Sequence, residues 1–173
     1  VDPDKYGLVK LSFSGSNLDG RVSFYRFEQE GDEYQYAYSV PFANAVTGET
    51  AVSFNTYQPS LNAADASNIV AQWISIANLE DEAKVFTVNR YDSLGALIGT
   101  STQTVPGRHR VDIEGGHENP GPGNVGLNVI VPGDASAKYL AQLVRYGERA
   151  SSAAETPPNY AFAFPLRAES GRG

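Results

Sequence analysis

The sequence predicts an all-β chain: an antiparallel β-sandwich, Ig-like or jelly-roll-like, of about eleven strands, with an internal duplication. Three observations predict it. Apolar and polar residues alternate with a period of two almost everywhere, as in Val9, Leu11 and Phe13 against Lys10 and Ser12. Turn-forming clusters recur between the alternating runs. A stretch near the end, "YAFAFPL" (Tyr160–Leu166), echoes one near the beginning, "YAYSVPF" (Tyr36–Phe42).

The strands follow from the alternation in chain order. They are expected at about 6–14, 20–30, 33–42, 49–57, 67–78, 84–92, 96–104, 107–114, 124–131, 137–147 and 159–167. "SGSNLDG" (Ser14–Gly20), "EGDE" (Glu30–Glu33), "DSLG" (Asp92–Gly95), "VPGR" (Val105–Arg108) and "PGDAS" (Pro132–Ser136) punctuate them with residues that tolerate turn dihedrals. Two Ala-rich segments, Asn62–Trp73 and Ser136–Tyr146, could pass for helices. Neither has a cap followed by a sustained 3.6-residue stripe, so both are read as strands.

The echo extends beyond seven residues. With Pro41 placed on Pro165, Tyr36 falls on Tyr160, Tyr38 on Phe162, Val40 on Phe164 and Phe42 on Leu166. Parity is kept, and a one-residue slip would turn every side chain to the other face. "SFYRFEQ" (Ser23–Gln29) resembles "AQLVRYGE" (Ala141–Glu148), with Arg26 against Arg145. Residues 1–50 thus read as the last part of a preceding repeat, and 51–173 as one full repeat. The alternative is one closed domain whose two related segments sit as pseudo-symmetric halves.

Composition narrows the function. Thirteen Lys and Arg against 20 Asp and Glu give a net charge of -7, which argues against nucleic acid and anionic membranes as partners. There is no Cys and no Met. The missing Met suggests a processed protein or an excised fragment, and a chain free of thiols fits a secreted or cell-surface bacterial setting. No apolar run is long enough to span a bilayer as a helix.

Candidate chemistry is sparse. His109 and His117 lie near Asp112, Glu114 and Glu118, but a strand would turn His109 away from Asp112 and Glu114. "NLEDE" (Asn78–Glu82) gathers three acids that could serve calcium, without EF-hand spacing; a solvated hairpin turn is the preferred reading. No nucleophile elbow or phosphate loop is present, so no cofactor and no enzymatic activity are expected. Trp73 shares a strand face with Ala71, Ser75 and Ala77. It either stacks on a sugar or a neighbouring protein, or is covered by a second core layer. Tyr34, Tyr36 and Tyr38 form a same-face ladder open to the same two readings.

The segment from Asn68 to Ile113 carries a strand ending in Asn78, a strand ending "YDSLG" (Tyr91–Gly95), and then "GTSTQTVP" (Gly99–Pro106). It resembles the Ig-like β-sandwich modules of secreted bacterial proteins. That resemblance implies the fold and an extracellular setting, and transfers no catalytic residue. The expectation is a structural or adhesive module contacting neighbouring copies or other surface proteins. A carbohydrate-binding module using Trp73 and the tyrosines is the alternative.

Overall fold

The computed structural model describes residues 9–15, 18–27, 34–58, 69–116, 121–148 and 160–166. Ten strands occur among them: β1 (Arg21–Phe27), β2 (Tyr34–Pro41), β3 (Thr50–Gln58), β4 (Ile69–Asn78), β5 (Lys84–Asp92), β6 (Leu97–Val105), β7 (Arg110–Glu114), β8 (Gly121–Pro132), β9 (Tyr139–Glu148) and β10 (Tyr160–Pro165). Every pairing is antiparallel, and no helix occurs among the described residues. The described parts of both Ala-rich segments are strand from Ile69 and from Tyr139, where β-branched and aromatic residues favour the pleated surface.

The strands form two four-strand groups. One runs β10-β9-β4-β7 and the other β3-β8-β5-β6, and they join at a single corner where Tyr57 pairs with Val70. Inward side chains of both groups build one core. Val52, Phe86, Val88, Val105 and Ile130 come from the second group; Ile74, Ile76, Ile113, Tyr139 and Leu143 come from the first. The rings of Phe86 and Tyr139 meet across it at 5.1 Å. The Tyr139 hydroxyl donates to the Gly48 carbonyl at 2.8 Å and lies 3.1 Å from Thr50 Oγ1, so the buried phenol keeps polar partners.

β1 and β2 stand apart as a two-stranded ribbon. Their register puts Val22 opposite Val40 and Phe24 opposite Tyr38, and the last two rings stack at 4.9 Å. This face lies on the outside of the first group, where Val40 packs with Val144, Trp73, Phe24 and Tyr38 in a second apolar cluster. A free two-stranded hairpin is marginal in water, so docking on β9, β10 and β4 supports the ribbon.

The two segments read as repeats are both antiparallel hairpins, β1–β2 and β9–β10. Their cross-strand registers differ by two residues: Arg26 stands opposite Tyr36, whereas Arg145 stands opposite Phe162. A shift of two keeps parity, which is why the sequence match survives it. Their surroundings also differ at one aligned pair, since Phe42 is 38% exposed and Leu166 only 5%. The side chains of Tyr36 and Tyr160 lie outside the described residues, as do those of Tyr34 and Phe164.

The expected strand at 6–14 is not one over its described part. Residues 9–13 form no ladder, and Val9, Leu11 and Phe13 are 73%, 51% and 52% exposed. Alternation makes a segment competent for pairing, but a strand exists only beside a partner edge. The turn "EGDE", the loop holding His117 and Glu118, residues 62–67 and residues 167–173 lie outside the described residues.

Candidate interaction surface

Apart from Ser75 in the middle of β4, the buried polar residues sit towards the two ends of the core. At one end Asn78, fully buried, donates from Nδ2 to the carbonyls of Glu82 (2.7 Å) and Val105 (3.1 Å), and its Oδ1 accepts from the Glu80 amide (3.0 Å). One amide side chain thereby closes two turns. Gly107 is required beside it, because a Cβ there would stand 1.8 Å from the Asp81 carbonyl oxygen. At the other end Arg90 reaches from β5 to the carboxylate of Glu114 on β7, and Asn128 donates to the Gly115 carbonyl at 2.9 Å. These groups hold the two strand groups together.

Two of the three acids of "NLEDE", Glu80 and Asp81, have side-chain partners. Glu80 accepts from the Lys138 amide at 2.9 Å and pairs with Lys84, and these hold its carboxyl below the usual range. Asp81 is lowered by Arg108. Asp134, beside the Ser136 hydroxyl and then Lys84, is lowered to about 2. Among the described residues no group of three or more His, Asp or Glu could hold a metal ion. His109 lies in the exposed turn before β7, and Asp112 is held by Arg110 at 2.9 Å and by the Ser75 hydroxyl.

Trp73 points outward from β4, as its parity requires, and is half-buried among Val40, Val144 and the Phe24–Tyr38 stack. Tyr38 is half-buried in the same cluster. Tyr34 and Tyr36 lie on β2, with side chains outside the described residues.

Sequence reasoning passed over the outer face of the second group. Strand parity and the ladder registers bring its members together. β8 contributes Val125, Leu127, Val129 and Val131. Beside it β5 contributes Val85, Thr87, Asn89 and Tyr91. β6 adds Leu97, Thr100, Thr102 and Thr104, and β3 adds Ala51, Ser53 and Asn55. None of these positions is charged. Val125 is 51% exposed, Leu97 57% and Val85 43%, and Leu94 in the adjoining turn is 92% exposed.

Two pairs of polar side chains on this face bind each other. The Thr100 hydroxyl donates to Asn89 Oδ1 at 3.0 Å, and the Thr87 and Thr102 hydroxyls lie 3.4 Å apart. Drying the face therefore costs less than its Thr and Asn content suggests, because these groups keep partners without water. β6 is also the terminal strand of its group. It has nine residues, "LIGTSTQTV", without charge or Pro, the devices that usually blunt an edge. Its irregularity is confined to one end, where the register shifts beside Arg90 and Tyr91. The signal was legible: V-x-L-x-V-x-V over 125–131 and T-x-T-x-T over 100–104 place every outward residue in an uncharged class.

The chain matches no protein-family model, no curated protein and no solved structure. No helix among the described residues is long and apolar enough to cross a membrane.

Proposed function

We propose that the chain is a non-enzymatic structural or adhesive β-sandwich module of the Ig-like kind, belonging to a tandem-repeat or filament-forming protein of a bacterial surface. One observation carries this reading: a sheet face four strands wide, uncharged, with an apolar centre on β8 and a hydroxyl-rich margin on β6 and β3. Protein interfaces are depleted of charge at the centre and polar at the rim, and this face has that composition. Protein contact is favoured over the carbohydrate alternative because Trp73 on β4 and Tyr38 on the ribbon are half-buried against each other's cluster where the ribbon docks. Among the described side chains the face carries one aromatic ring, Tyr91.

Beads coated with the chain test the proposal on intact cells that bear the protein natively, with polysaccharide-coated surfaces in parallel. Adhesion to cells that the outward substitution Leu127→Lys abolishes supports it. Adhesion to polysaccharide alone, or to neither surface, overturns it.

A further inference from the structure

The two outer faces of the molecule are treated differently by the chain itself. The β1–β2 ribbon covers the outside of β9, β10 and β4, whereas among the described residues no second apolar cluster is built on the outside of β3-β8-β5-β6, where Val85, Leu97, Val125 and Leu127 are exposed. We infer that this bare face is a two-fold self-association surface, and that its occupant is the same face of a second copy. The inference rests on the adhesive reading and names its partner.

Area, charge and symmetry argue for a second copy. With strands about 4.8 Å apart and a rise of about 3.4 Å per residue, four strands by seven residues offer on the order of 450 Å² per copy. Leu94 and side-chain relief bring the total for two copies to roughly 1,000 Å², the lower bound of specific interfaces. The chain carries -7 overall, so most mutual contacts would oppose like charges. This face opposes none, and it offers a charged partner no counter-charge. Two-fold stacking about an axis across the strands lays the β8 stripe of one copy on that of the other and margin on margin, with Val129, Thr100 and Ala51, which share one register level, facing their like. Such a contact is isologous and closes on itself. Sheets stack in this manner at a small angle, with side chains interdigitating.

Sedimentation equilibrium of the whole chain, from about 1 to 500 µM, tests the inference. A monomer–dimer equilibrium is expected with a dissociation constant on the order of 10 µM, as befits a small interface. Leu127→Lys and Thr102→Lys, both outward, should each weaken it at least ten-fold while leaving the circular dichroism spectrum and melting midpoint unchanged. His109→Lys, in an exposed turn on another part of the surface, should leave it within two-fold. A chain monomeric throughout the range overturns the inference, and so does a dimer indifferent to both face variants. A monomeric chain whose beads still adhere to cells through Leu127 overturns the self-pairing alone and leaves the adhesive reading standing. A dimer whose beads adhere to no cell upholds the self-pairing and removes the adhesive role.

Discussion

One outer face of this molecule is roofed by its own chain, and the other has no roof among the described residues. The roofed face carries Trp73 and Val144 on its outward side, and the ribbon supplies Val40, Phe24 and Tyr38 to meet them. The bare face carries an apolar stripe of its own along β8, with exposed Val125 and Leu127, and no roof among the described residues. Outward apolar residues on a sheet therefore have no fixed meaning. Inside one chain the same kind of stripe serves as a second core where a ribbon lies over it, and as an open surface where none does.

Four measurements put this contrast to the test. The largest effect belongs to the tie between the two strand groups. Arg90→Ala leaves the Glu114 carboxylate, 11% exposed in its side chain, without its guanidinium, and should destabilise the fold by about 3 kcal/mol in chemical denaturation. A loss below about 1 kcal/mol would show that the two groups do not need that tie. Next comes the roof. Val40→Asp places a charge in the second cluster; the ribbon should lift rather than bury it, which caps the loss at about 2 kcal/mol. Trp73 emission should shift to the red while the main core stays folded. An unshifted spectrum would mean the roof is not what covers Trp73.

Acid gives a smaller, directional effect. Asp134, Glu80 and Asp81 are all held below their usual values in the folded chain. A lowered carboxyl contributes stability above its unfolded pKa and loses it as pH falls through the folded value. Stability should therefore decline between about pH 4 and pH 2. Asp134→Asn should flatten part of that decline, as followed by thermal melts at stepped pH. Smallest of all is the stability change on the bare face. Leu127→Lys should alter the unfolding free energy by no more than about 0.5 kcal/mol; a larger loss would mean that the side chain is packed rather than open.

The strands were largely legible because alternation acts locally. Val85 to Tyr91, or Leu127 to Val131, reads as a half-buried strand whatever lies around it. Trp73 was read correctly as facing away from Ile74 and Ile76. What covers it was not legible, since Val40 and Trp73 are brought together only by the docking of a hairpin far away in sequence. Val9, Leu11 and Phe13 failed for the opposite reason: their pattern is sound, but no ladder accepts them. Asn78 was seen as the end of a strand and the start of "NLEDE" but not as a clasp, because its hydrogen bonds run to turns that close elsewhere in the chain. The resemblance between the two hairpins was readable in parity, whereas their two-residue difference in register was not, because parity is blind to even shifts.

The ribbon holds to the rest of the molecule through side chains. Among the described residues its backbone bonds only to itself up to the Phe42–Gly20 link, and the chain is next pinned where Val46 pairs with Tyr139. Under a pulling force this is a reserve of slack. Tension at Gly20 would peel the hairpin free before any ladder of the core is loaded, paying out on the order of 80 Å of chain. A force–extension trace should therefore begin with a low, short step ahead of the main rupture, and the module would yield before it breaks.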